Sequence, residues 1–124
     1  MPKLPQQPTE LHIFDTSLRD GAQQEGLRLS TNDKLKIARY LDELGVTFIE
    51  GGWPGANPAD TEFFQRAQTE LDLQRSKLVA FGSTRKAGVK ASEDKLTRAL
   101  VDAGTDYVCI VAKSHDEHVT RALR

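Results

Sequence analysis

Within Asp15-Thr16-Ser17-Leu18-Arg19-Asp20-Gly21-Ala22-Gln23, hydrogen-bonding and ionisable side chains crowd around a single glycine. An arginine beside an aspartate, just past the end of a strand, can hold a cation and an oxyanion side by side. Asp20 offers a hard carboxylate oxygen of the kind that binds Mg2+ or Mn2+. The same residues also suit a plain strand-to-helix turn, with Gly21 supplying a permissive backbone. Further along, Glu50 follows Phe48-Ile49 as a carboxylate at a strand end, a position where many such groups simply meet water.

Other chemistry-bearing residues fall where later strands stop. Thr84 and Arg85, then Lys113 and Ser114, are candidates for contacts with a substrate carboxylate or a coenzyme. Gly51-Gly52-Trp53-Pro54-Gly55 reads as a flexible lip with Trp53 as an apolar wall, although turn chemistry explains its glycines equally well. Its spacing is not the G-x-G-x-x-G of a dinucleotide site. His115 and His118 share one face of a helix start, an arrangement open to a metal but more commonly just surface histidines. Cys109, among alternating apolar neighbours, reads as a core residue rather than a nucleophile.

The elements that must position these groups recur at a steady interval. Leu11-His12-Ile13-Phe14, Val46 to Glu50, Lys77 to Phe81 and Tyr107 to Val111 read as strands by composition and length. Ser30, with Asp33 three residues on, caps a helix whose Ile37, Ala38, Leu41 and Leu44 follow helical spacing up to Gly45. Asn57-Pro58 opens a second helix with a buried stripe of Phe63, Phe64, Ala67 and Leu71. Ser92-Glu93-Asp94 caps a third, in which Leu96, Ala99, Leu100 and Ala103 face inward before Gly104. A fourth begins at His115. Strand starts about 30 residues apart match βαβ units, so the fold class is α/β with a parallel sheet covered by helices. In such folds sites lie at the carboxyl ends of the strands, where every cluster above falls.

The 124 residues carry 17 Lys plus Arg against 18 Asp plus Glu, a formal charge of −1 that gives no basic excess for nucleic acid. No apolar run is long enough to span a bilayer. Residues 1–10 read as a disordered leader without the apolar core of a secretory signal. A single cysteine excludes an internal disulfide and suits a reducing compartment, so a cytoplasmic location is expected.

Leu18-Arg19-Asp20-Gly21-Ala22-Gln23, ten further residues and then Lys34 resemble the signature of the α-isopropylmalate and homocitrate synthases. Glu50 resembles the strand 2 Glu of the wider metallolyase group, and Glu50 to Pro58 with Ala80 to Arg85 is most similar to the citramalate synthase branch. The resemblance implies a (β/α)8 barrel, of which residues 11–124 would be the N-terminal half, because a whole barrel needs about 250 residues. It implies that Asp20 is a ligand of a divalent metal (Mg2+ or Mn2+, with Zn2+ an alternative) and that Arg19 faces the oxyanion developing on a keto oxygen. Glu50 would hold and orient Arg19 through a bidentate contact. Gln23 would complete the hydrogen bonding near metal or substrate, with Thr84, Arg85 and Ser114 on the substrates. The implied reaction is condensation of acetyl-CoA with a 2-oxo acid, by preference pyruvate and otherwise 2-oxoisovalerate, in a homodimeric enzyme of branched-chain amino-acid biosynthesis. The family's later His-x-His metal pair is absent from these 124 residues, so a fragment inactive by itself is expected.

Overall fold

Local signals set most of the helix boundaries. The computed structural model describes residues 10–123; the expected leader lies largely outside them. Ser30 caps α1 (Thr31–Leu44) in a capping box, its hydroxyl accepting from the Asp33 N–H while the Asp33 carboxylate accepts from the Ser30 N–H. Gly45, at φ 84°, closes that helix in the left-handed region. Asn57 caps α2 (Pro58–Glu70), with Pro58 in its first turn. The third helix starts later than its Ser-Glu-Asp run suggested: α3 spans Lys95–Asp102. Its cap is Asp94 alone, because that carboxylate accepts from both Thr97 N and Lys86 N. The last helix, α4, covers Asp116–Ala122.

Four strands form one parallel sheet in the order β1-β2-β3-β4: Phe14–Asp15, Phe48–Gly52, Lys77–Ser83 and Tyr107–Val111. Three strands differ from expectation, β3 only in running two residues past Phe81 to Ser83. β1 is only two residues long, because the Thr47 hydroxyl accepts from Ile13 N and takes the place of a ladder bond; Leu11 is 84% exposed. β2 lies two residues further on than expected, so Glu50 sits in mid-strand and Gly51 and Gly52 belong to the sheet. The glycines are packing requirements rather than a flexible lip: a Cβ on Gly51 would stand 2.6 Å from the Phe63 ring.

With every strand parallel and in sequential order, crossovers of the usual right-handed sense put the helices on one face. A doubly wound sheet would reverse its order at a switch point. The fold is therefore α/β with four consecutive βα units, the arrangement found in part of a (β/α)8 barrel. The core lies between sheet and helices, where Leu18, Leu35, Ile49, Phe63, Phe64 and Leu100 are almost completely buried. Register places Glu50 beside Val79, and Phe81 beside Cys109, on the opposite face.

Candidate active site at the carboxyl end of the sheet

The turn after β1 is built by its own polar groups. Asp15 accepts from the backbone and hydroxyl of Ser17, and Thr16 O accepts from Arg19 N and Gly21 N. Leu18, fully buried, pins this turn to the core and leaves Arg19 on the side away from the helices. Gly21 does not have a positive φ, so its role there is not backbone permissiveness.

Arg19 reaches across to β2, where its Nε donates to Glu50 Oε1 at 2.5 Å. Glu50 is 1% exposed and Arg19 21%, so the carboxylate is committed to the guanidinium rather than to water. The expected two-bond clamp is not what holds the arginine. One edge bond fixes it, and the Phe81 ring lies under its face with Cζ 4.1 Å from the ring centroid. That leaves the terminal nitrogens toward the open end of the strands, where Nη1 is 3.5 Å from Asp20 Oδ1. Sequence reasoning missed Phe81; the signal was the period of two along β3, which puts it on the same face as Val79.

Trp53 packs edge-on against Phe81, ring centroids 5.3 Å apart. Its backbone N–H donates to Asp60 Oδ2 at 2.9 Å, and Asp60 Oδ1 receives Lys34 Nζ at 2.6 Å. Asp60 also escaped the sequence reading; its place in the first turn of α2 was the available cue. Among the described residues, Trp53 Nε1 is the one buried side-chain polar atom without a partner.

Cys109, expected as a core residue, is not part of the buried cluster between sheet and helices. It lies on the Glu50 face of β4, half-buried. Burial pushes its thiol pKa up, and the Glu50 charge pushes it further, against a smaller opposing pull from Arg19. A thiol held protonated this way is a poor nucleophile.

The remaining candidates are not drawn into this cluster. Gln23 is exposed on a 3-10 turn over Gly21–Gln23. Thr84 and Ser114 are exposed past β3 and β4, and Arg85 donates to Val89 O, closing its own loop. His115 caps α4 by accepting from Glu117 N, with its ring 5.4 Å from that of His118. Among the described residues, no group of three or more His, Cys, Asp or Glu could hold a metal ion. Asp20, 69% exposed at the mouth, presents a hard carboxylate oxygen of the kind a divalent cation takes. Among the described residues, no helix is long and apolar enough to cross a membrane.

Residues 10–124 match the family model described as HMGL-like. An (R)-citramalate synthase of Streptomyces coelicolor is 63% identical over 113 residues, which is 91% of this chain and 21% of that protein. One from Synechocystis is 53% identical over 116 residues, 94% of this chain and 21% of the relative. A 2-isopropylmalate synthase of Crocosphaera subtropica is 40% identical over 95 residues, covering 76% of this chain and 18% of its own length. The chain thus spans about a fifth of the length of the curated relatives it matches.

Proposed function

The chain belongs to the HMGL-like family, and from that premise we propose that it supplies the first four strands of the active site of a citramalate synthase. In the proposed reaction, the methyl carbon of acetyl-CoA loses a proton and bonds to the carbonyl carbon of pyruvate. Water then releases the thioester as free CoA and citramalate. The observation that carries the reading is Arg19, held by a buried Glu50 and the Phe81 face with its terminal nitrogens at the mouth of the sheet.

An arginine fixed at its Nε loses little freedom when it acts, so its charge is preorganised for an alkoxide. Arg19 holds the oxygen of the former carbonyl as it becomes negative, and Asp20 alongside faces the same space. A divalent cation with Asp20 among its ligands supplies Lewis-acid polarisation of the oxo acid when bound. Gln23, Thr84, Arg85 and Ser114 ring the same end of the sheet and are proposed for the substrate carboxylate or the coenzyme. The homodimer belongs to the same proposal.

Pyruvate is preferred over 2-oxoisovalerate because greater identity, over more of this chain, falls on relatives named citramalate synthase. Trp53 and Phe81 narrow the mouth with two large aromatic rings. The test is thiol release from acetyl-CoA with each oxo acid, in an enzyme of the relatives' length that carries these residues. A kcat/KM favouring pyruvate is expected, and discrimination by packing should be about 1–3 kcal/mol per methylene. Preference for the larger acid would overturn the assignment.

A further inference from the structure

The buried ion pair between Lys34 and Asp60 lies on the helix side of the sheet, away from Arg19, yet it connects to the site through a continuous series of contacts. Lys34 is 2% exposed, so its ammonium depends on Asp60; burial lowers its pKa and the Asp60 contact opposes that. The second oxygen of Asp60 takes the Trp53 N–H. Gly52 makes room for this carboxylate, since a Cβ there would stand 2.5 Å from Asp60 Cγ. The Trp53 indole then buttresses Phe81, the ring under the Arg19 guanidinium.

This indole is held at a cost. Its Nε1 is buried without a partner, and an unsatisfied buried donor is destabilising. Left free, the ring would turn its N–H toward water, so a restraint elsewhere in the loop must offset that tendency. Asp60 is the acceptor that fixes the Trp53 backbone, and Lys34 holds Asp60 in place through its other oxygen. We propose that Lys34 and Asp60 are positioning residues that hold Trp53 against Phe81 and thereby set the aromatic platform beneath Arg19.

The effect on turnover rests on the reading of Arg19 given above; the placement of Trp53 does not. Trp53 is the single tryptophan of the 124-residue chain, so its emission reports the loop directly. Two variants are compared with wild type: Asp60→Asn, and the double variant Lys34→Met/Asp60→Leu. The double variant removes both charges together, and such replacements are often neutral for folding. With far-ultraviolet circular dichroism retained, both variants should show red-shifted Trp53 emission and faster acrylamide quenching. In the longer enzyme the double variant should lose about 10- to 100-fold in kcat, as expected for a misplaced catalytic group, with the metal midpoint unchanged. Wild-type emission and quenching in both variants would overturn the inference, because the buried Pro54 would then suffice to hold the loop. Unfolding of both would overturn it too, making the pair a folding requirement. A shifted emission with undiminished kcat would leave Trp53 placed by Asp60 but sink the link to Arg19. Absence of wild-type turnover with both oxo acids would instead count against the proposed reaction.

Discussion

At the scale of single residues, three neighbours divide one task, and their variants should fail in different ways. Arg19→Lys keeps a charge but loses the Nε bond to Glu50 and the flat face that lies on Phe81. In the longer enzyme its kcat should fall by two to three decades, roughly 3–4 kcal/mol, with the midpoint of a metal titration of activity unmoved. Glu50→Gln should resemble it in kind, since both loosen the same guanidinium. Asp20→Asn should move the metal midpoint upward, with part of the activity recovered at excess metal. The roles are wrong if metal rescues Arg19→Lys, if Asp20→Asn titrates like wild type, or if Glu50→Gln is as active as wild type.

At the scale of elements, one buried carboxylate ties α1 to the turn before β3 at the end of the sheet opposite Arg19. Asp42, near the carboxyl end of α1, accepts from the backbone N–H groups of Gln74, Arg75 and Ser76 in the turn before β3. Burial alone would raise its pKa, and a helix carboxyl end disfavours an anion. The three N–H groups outweigh these effects and hold the carboxyl below its ordinary value. A depressed folded-state pKa means the contribution is complete above the ordinary aspartate range and disappears as pH falls through the lowered value. Asp42→Asn should cost roughly 2–3 kcal/mol at neutral pH, because one carboxylate oxygen becomes a donor facing donors. Thermal melts from neutral to acidic pH should show the wild-type advantage shrinking only below the ordinary aspartate pKa. An advantage that is flat over that span would refute the role.

At the scale of the whole molecule, the sheet is open at both edges among the described residues, since β1 pairs only with β2 and β4 only with β3. Val108 and Ile110 on one face, with Tyr107 and Val111 on the other, are each 45–52% exposed. Unpaired edges with apolar faces recruit further chains. The 124-residue chain should therefore self-associate in a concentration-dependent way during sedimentation, and Val108→Lys/Ile110→Lys should weaken that association. A monomer over the whole concentration range would exclude the edge as an adhesive surface.

Residues 10–123 divide cleanly into what near neighbours encode and what only distant ones do. The Ser30 capping box, the Gly45 turn, Asn57-Pro58 and the 30-residue rhythm were legible because caps and periodicity act over a few residues. The Leu18-Arg19-Asp20-Gly21 motif likewise marked the end of β1 as the place for chemistry, and the HMGL-like match agrees with the family resemblance it carried. What the sequence left open is contact across the sheet and between layers. The Lys34–Asp60 bond spans 26 residues and neither partner carries a local sign of the other. The Arg19–Glu50 bond, spanning 31, was expected only through the family resemblance and without its single-bond geometry. Glu50 looked like a strand terminus because Gly51-Gly52 resembles a turn. Only the closeness of Phe63 and Asp60 to those glycines explains why the strand continues through them. Phe81 and Cys109 gained their place beside Arg19 and Glu50 from strand register, which is set when the sheet assembles and not before.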